Sequence, residues 1–397
     1  MNTEGLLLGL DIQNNSSQVC IYHADDHNVQ TVMFPESGSV YLHPADQKNL
    51  YNEESAKPLE ERLMTLISFL IDQARKTAGS QKIRKICITV SSYKTEVISA
   101  IAGCMKRQLF SRDQWMLISH EEAYAYYAFS QKKELYQAGA MLLDYQPDGL
   151  HSYYMKSVKA DGIEYILEEK KDFREPELIQ AVTEQADLAS VSGILVTNIR
   201  AAQATRVMSS VYLTGPGFEK KNFPEELTKE LVNRKKAFAG QNLYVRGACI
   251  CACEEVMPQR FQNVVLGCTN RIITGIEVDI TERGQKKRFR IVRPGTNWYT
   301  ASRSMDFILD DIRQITLVMR PCEKRPDYEE IIDISEIPYR EGRRTRITME
   351  ITFQSEQHCT VTITDKGFGD FVPASGKVIR KEISLSAGDR EKEGDQI

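Results

Sequence analysis

Apolar positions along the chain switch between two rhythms, and the switch divides it. In the first 260 residues, short apolar runs of strand length alternate with longer stretches of helical period. Residues 6–10 and 19–22 read as a strand pair around the polar turn Gln13-Asn14-Asn15-Ser16-Ser17. Residues 58–76 carry Leu59, Leu63, Leu66, Ile67, Leu70 and Ala74 on one face, with Pro58 at the start and Gly79 beyond the end, which predicts an amphipathic helix. The run 86–90 is continuously apolar, as in a strand buried on both faces. A helix over 94–109, a strand over 115–118 and a helix over 121–133 follow. Strands over 140–143, 153–158 and 165–168 form a predicted meander around Asp161-Gly162. A mostly helical stretch over 177–206 precedes a short strand at 210–213, and helices over 225–236 and 245–256 close the region. Buried strands alternating with helices predict an α/β architecture. No internal repeat is legible.

Beyond Pro258 the period becomes two. Strands are expected at 272–280, 287–292, 315–319, 331–334, 345–353, 360–364 and 378–385, divided by turns such as Glu282-Arg283-Gly284-Gln285. This predicts an all-β sandwich over 261–386, with the polar tail 387–397 disordered. The first region is expected to span 1–260, as one lobe of about 1–138 and a second of about 139–260.

Composition narrows the classes. A chain of 397 residues with 42% hydrophobic and 27% charged content can bury real cores, and a formal net charge of −4 gives no reason to expect nucleic acid as partner. The most apolar stretch, 63–71, is far short of the about 20 residues a bilayer span needs. The start MNTEGLLLGLD does not read as a secretion signal, and nine cysteines without a spaced framework suit reduced thiols. A cytoplasmic protein is the expectation.

Four spaced signals carry the chemistry. Gly9-Leu10-Asp11 and Leu142-Leu143-Asp144 each end a strand with a carboxylate before turn-forming residues. Thr214-Gly215-Pro216-Gly217-Phe218 and Arg246-Gly247-Ala248-Cys249 follow. A carboxylate at a strand end can order a hydrated Mg²⁺, and backbone N–H groups of the adjoining turns can receive phosphate oxygens.

In that order these signals resemble the actin, sugar-kinase and heat-shock ATPase superfamily, and within it the DnaK-type heat-shock chaperones. Leu8-Gly9-Leu10-Asp11 resembles the first phosphate motif and Ile118-Ser119-His120-Glu121-Glu122-Ala123 the first connecting motif. Leu143-Asp144 is similar to the second phosphate motif, Thr214-Gly215-Pro216-Gly217 to the adenosine motif, and Gly247-Ala248 to the second connecting motif. Leu266-Gly267-Cys268, Ile337-Pro338 and the strands around Thr348 and Val361 resemble the chaperones' peptide-binding sandwich. The resemblance implies a two-lobed, actin-like ATPase fold built from duplicated ribonuclease-H-like lobes, followed by a lidless sandwich that binds a peptide or protein client. It implies ATP or ADP with Mg²⁺ in the cleft. Asp11 and Asp144 would serve the metal through water, and Glu121 or Glu122 would orient an attacking water. Gly9, Gln13, Asn14, Asn15, Gly149, Thr214, Gly215, Gly217 and Phe218 would line the nucleotide.

The chain departs from that family at both phosphate turns. Gln13-Asn14-Asn15 stands where the family has Gly-Thr-Thr, and Tyr145-Gln146-Pro147-Asp148-Gly149 replaces its glycine-rich turn. Pro147 removes an N–H and Asp148 adds negative charge. The family's catalytic lysine falls in a segment that is shortened here, between residues 30 and 58. The expectation is nucleotide binding with weak or no hydrolysis. Two alternatives stand beside it: a nucleotide-free pseudo-ATPase acting as an interaction scaffold, and an actin-like assembling protein. Other features have simpler readings. Cys249, Cys251 and Cys253 cannot converge on a metal from one helix. His120 at a helix start is more often satisfied by backbone, and the six basic residues between Arg283 and Arg293 read as a solvated strand edge.

Overall fold

The computed structural model describes residues 5–23, 28–35, 38–42, 50–51, 57–79, 82–160, 162–219, 222–310, 312–322, 326–369 and 372–385. The expected tail 387–397, and about half of the segment expected to hold the family's lysine, lie outside them. The fold is mixed α/β, about 28% helix and 40% strand. The chain divides into two compact units, Met1–Val264 and Val265–Ile397. Among the described residues, no helix is long and apolar enough to cross a membrane.

The first unit contains two sheets that share a five-strand plan, the second sheet having six strands in all. In the first, β1 (Leu6–Ile12), β2 (Ser17–His23), β3 (Asn28–Thr31), β4 (Ile83–Val90) and β5 (Trp115–Ser119) lie in the order β3-β2-β1-β4-β5. In the second, β6 (Ala140–Gln146), β7 (Gly149–Ala160), β8 (Ile163–Phe173), β9 (Ser210–Thr214) and β10 (Lys236–Ala239) lie in the order β10-β9-β6-β7-β8. Counted from the first strand of each set, two antiparallel neighbours lie on one side and two parallel neighbours on the other. Helices fill matching places. α1 (Leu59–Ala78) and α2 (Thr95–Arg107) make the crossovers of the first set, and α4 (Pro176–Thr183), α5 (Ser192–Gln203) and α6 (Glu225–Val232) those of the second. α3 (His120–Phe129) and α7 (Leu243–Val256) end the two sets. The duplication is one of topology. Its only echo in the sequence is Leu10-Asp11-Ile12-Gln13 against Leu143-Asp144-Tyr145-Gln146.

Three predicted helices are shorter than expected. The stretch 177–206 is broken between α4 and α5, where Gln185 takes a left-handed φ of 53° and a short 3-10 turn, Leu188–Val191, intervenes. The helix expected over 225–236 stops at Val232, and Lys236 opens β10 beside β9. α3 stops at Phe129 instead of continuing to 133. In the second of these the pairing of β10 with β9 overrides the local helical pattern.

α3 and α7 exchange partners. α7 packs on β1, β2 and β4 of the first sheet, although it follows the second in sequence. Tyr124 and Tyr127 of α3 set their rings edge-on to Tyr212 of β9. Two glycines permit the crossing. A Cβ on Gly9 would lie 2.4 Å from the Cys249 nitrogen, and one on Gly247 would lie 1.8 Å from the Ala123 carbonyl oxygen. The glycines that resembled nucleotide motifs at these two positions are therefore required by helix packing.

β11 (Val264–Gly267), the sixth strand of that second sheet, spans the division, and the second unit continues with β12 (Arg271–Ile272), β13 (Thr274–Glu282), β14 (Gln285–Val292), β15 (Thr296–Asn297), β16 (Arg303–Leu309), β17 (Gln314–Pro321), β18 (Tyr328–Asp333), β19 (Thr345–Phe353), β20 (His358–Asp365) and β21 (Val378–Ser384). Two four-stranded antiparallel sheets, β14-β13-β17-β18 and β16-β19-β20-β21, contribute to one apolar core. β16 was not legible in the sequence, because its pattern RSMDFIL leaves most of its side chains exposed or half-buried.

Replacing Gly247 by Ala sets two effects against each other. Alanine improves helix propensity by about 1 kcal/mol, but its methyl would meet a backbone oxygen that cannot rotate away, and overpacking costs about 1–3 kcal/mol or more. The clash should win, so urea unfolding of Gly247→Ala should show a net loss of stability. A gain would mean that the α3–α7 crossing is looser than described.

Candidate functional site

The crossing of α3 and α7 brings the two strand-end carboxylates into one connected arrangement. Asp11 lies in β1 and Asp144 in the equivalent strand β6, and both side chains are buried. A capping box starts α3: the Ser119 hydroxyl accepts from the Glu122 N–H at 3.3 Å, and the Glu122 carboxylate accepts from the Ser119 N–H at 2.8 Å. That fixes His120 as the first helical residue, and its Nε2 lies 2.8 Å from Asp11 Oδ1. At the start of α7, the Tyr244 hydroxyl donates to Asp144 Oδ2 at 2.6 Å. The two rings then stack on each other, centroids 3.8 Å apart and planes 10° from parallel. The remaining carboxylate oxygens are taken in matching fashion. Gln13 donates to Asp11 Oδ2 at 2.8 Å and Gln146 to Asp144 Oδ1 at 2.7 Å, each from two residues further along the chain. Asp11, His120, Tyr244 and Asp144 thus form one continuous bridge between the sheets.

Charge in the bridge follows from its surroundings. Burial opposes a charged His120, but the charge and hydrogen bond of Asp11 outweigh it, and the imidazole is held above its ordinary pKa. Burial raises Asp144, against the hydrogen bond of Tyr244 and the nearby charge of His120, which lower it. The Tyr244 phenol is pushed well up by burial and by Asp144, so it remains a donor.

Next to the bridge lies a cleft of about 1100 Å³, into which His120, Glu121, Asp144, Asp148, Gln241 and Asn15 all face. A second histidine stands in its wall. His151 Nδ1 lies 2.7 Å from Asp172 and Nε2 lies 3.0 Å from Asp148. Both ring nitrogens face a carboxylate, an arrangement that favours the doubly protonated imidazolium. Burial lowers its pKa, but the hydrogen bonds to Asp172 and Asp148 raise it further, for a net increase.

The other sequence-selected residues are placed as follows. Gln13 N–H donates to the Ser16 carbonyl, closing a turn with Asn14 and Asn15 at its tip. Asn14 Oδ1 accepts from the Tyr51 N–H at 3.2 Å, which anchors residues 50–51, and exposed Asn15 lines the cleft. Gly149 follows the turn Pro147-Asp148 with φ of 130°, where a Cβ would lie 2.3 Å from the Phe173 carbonyl oxygen. Gln241 grips Gly215 from both sides, accepting from its N–H at 2.9 Å and donating to its carbonyl at 3.0 Å. The Thr214 hydroxyl lies 3.4 Å from the same Gln241 oxygen. A Cβ on Gly215 would meet Asp144 Oδ1 at 2.6 Å, and one on Gly217 the Tyr145 ring at 2.2 Å. Phe218 is buried with its ring 5.5 Å from that of Tyr145. Glu121 faces the cleft 3.8 Å from Lys170. Gly9 serves the approach of α7 as described. Cys249 and Cys251 are buried and Cys253 is half-buried.

A magnesium nucleotide would need free carboxylate oxygens and turn N–H groups. Each oxygen of Asp11 and Asp144 already accepts one hydrogen bond from a protein donor and faces a competing partner, Gly215 is occupied by Gln241, and Pro147 has no N–H to offer. Among the described residues, no group of three or more His, Cys, Asp or Glu side chains could hold a metal ion. The donor set here does not fit a metal–triphosphate group. Sequence reasoning did not identify Tyr244, Gln146, Gln241 or His151. The one available signal was the shared Leu-Asp-x-Gln.

The first unit is thus an α/β module with duplicated sheet topology and a polar cleft beside a buried carboxylate bridge. Residues 44–269, more than half of the chain, match a family model described as "Family of unknown function (DUF5716) C-terminal", and the chain belongs to that family. Residues 271–385 match a second model, "Domain of unknown function (DUF8552)". No curated protein matches the chain.

Two outcomes follow from this geometry. Tyr244→Phe leaves a buried carboxylate oxygen of Asp144 without its donor, a loss of about 1–3 kcal/mol, readable as a lowered denaturation midpoint by chemical unfolding. The His151 pKa is raised on folding, so its contribution is complete below its unfolded pKa near 6.5 and is lost as pH climbs through the raised folded value. Thermal melts should therefore show the deficit of His151→Gln relative to the parent shrinking from pH 6 towards pH 9. A constant gap would show that the ring is neutral in the fold.

Proposed function

We propose that the first unit is a divergent member of the actin and heat-shock ATPase superfamily that works as a nucleotide-free interaction scaffold. In this reading the two sheets are the cores of two ribonuclease-H-like lobes. Their shared order, with the acidic residue at the end of the first strand of each, is the fold-level support. The single observation that carries the functional part is the His120–Tyr244 stack between Asp11 and Asp144. A nucleotide-dependent ATPase holds its lobes together through metal and phosphate, which come and go. Here a protein-internal bridge uses the same two carboxylates and needs no ligand. The charges at the cleft point the same way, since Glu121, Asp144, Asp148 and Glu219 line a site where Lys170, Arg174 and His151 are the opposing groups and His151 and Lys170 are already engaged by carboxylates. The second unit is read as a β-sandwich that binds a peptide or protein client, from its resemblance to the chaperone sandwich and its two-sheet core.

A second reading, nucleotide binding without turnover, is favoured by one observation, the cleft of about 1100 Å³ that opens over Asp144 and His120. To bind there, a nucleotide would have to displace Gln241 from Gly215 and leave Asp148 near its phosphates. Fold kinship does not carry activity with it.

Isothermal titration of the intact protein with ATP and ADP, with and without Mg²⁺, separates the two. The scaffold reading expects no Mg²⁺-dependent heat up to about 1 mM nucleotide, the weak limit of useful affinity. Saturable Mg²⁺-ATP binding that disappears in Asp11→Ala would restore the nucleotide reading and sink the scaffold.

A further inference from the structure

The four-stranded sheet β14-β13-β17-β18 has two outer strands of opposite charge. β14 (QKKRFRIV) carries Lys286, Lys287, Arg288 and Arg290 and no acid, whereas β18 (YEEIID) carries Glu329, Glu330 and Asp333 and no base. We propose that β14 of one molecule pairs with β18 of a second copy, so that the sheet continues from molecule to molecule. The proposal rests on this sheet alone and is independent of what the cleft of the first unit binds.

Three features make the edges complementary. The first is direction. Each neighbouring pair in the sheet is antiparallel, so β14 and β18 run in opposite senses, and a β18 laid beside β14 continues the alternation. The second is facing. Arg290 is paired with Glu277, Glu277 with Val318, and Val318 with Glu329, so Arg290 and Glu329 share one face of the sheet. Arg288 on β14 and Ile331 and Asp333 on β18 lie on that same face at period two. A neighbouring β18 therefore presents Glu329 and Asp333 to Arg288 and Arg290, across the spacing of paired strands. Ile331, half exposed between the two acids, would be covered by the contact.

The third feature is selectivity. Charge on edge strands commonly prevents aggregation, but protection needs only charge, not opposite signs at the two edges. Two β14 edges repel, as do two β18 edges, and the unlike pair alone attracts. Such a contact is heterologous and does not close on itself in a flat sheet, so it extends by adding copies. Existing interactions limit its strength. Arg288 already pairs with Asp279 at 2.9 Å and Arg290 with Glu277 at 2.9 Å, while Lys381 donates to the Ile331 carbonyl at 2.9 Å and pairs with Glu330 at 2.8 Å. Lys381 must swing off β18 for the strand to pair. A short edge contact with this displacement is weak, dependent on concentration and sensitive to salt.

Sedimentation velocity of the full-length protein tests it. At about 50 mM salt the sedimentation coefficient should rise with protein concentration, and at about 0.5 M salt, where charges beyond a few ångströms are screened, the rise should vanish. Arg288→Glu with Arg290→Glu, and separately Glu329→Lys with Asp333→Lys, should each weaken association at least about tenfold, with folding confirmed by circular dichroism. An equimolar mixture of the two variants should associate again, because each then meets an edge of opposite sign. Three results would overturn the proposal: a parent protein that stays monomeric at both salts, association that survives both reversals, or variants that remain monomeric when mixed.

Discussion

Two carboxylates buried at the ends of equivalent strands cannot be left without donors, and the first unit is arranged around that requirement. Removing Asp11 and Asp144 from water costs several kilocalories per mole each unless hydrogen bonds replace the lost solvent. Four donors do so: Gln13 and His120 for one, Gln146 and Tyr244 for the other. The glutamines are local, two positions on. The aromatic donors come from the starts of helices that cross, so satisfying the carboxylates also ties the two sheets together. Gly9 and Gly247 are then needed to let the helices pass at that separation.

This dependency reassigns residues that looked like ligand contacts. Gly215 and Gly217 approach Asp144 and Tyr145 with no room for a side chain, and Gln241 acts on Gly215 as a neighbouring strand would. Asn14 spends its side-chain oxygen on Tyr51. Asn15, Ser91, Ser92 and Glu219 line the cleft beside this bridge. Gly9, Gly215 and Gly217 have a full structural explanation inside the protein, which their resemblance to phosphate and adenosine motifs did not suggest.

Much of the fold was legible. The alternation of short apolar runs with helical periods marked most strands and helices of the first unit, and the change to period two beyond Pro258 marked the second. Asp11 and Asp144 stood out because each closes an apolar run. What local pattern could not reveal was the duplication: the two sets share topology while their residues, apart from Leu-Asp-x-Gln, have different identities. Burial patterns survive such replacement because many apolar residues fill one position equally well. The same tolerance hid β16, whose pattern follows a partly exposed edge.

The sequence alone determined which segments could be strands or helices, since backbone propensity and apolar period act over a few residues. It also determined that carboxylates would stand at two strand ends. Only the tertiary structure decided what those carboxylates touch, because His120 is 109 positions from Asp11 and Tyr244 is 100 from Asp144. Partners at that separation are chosen by how helices cross and sheets stack, through packing that no local window of residues contains.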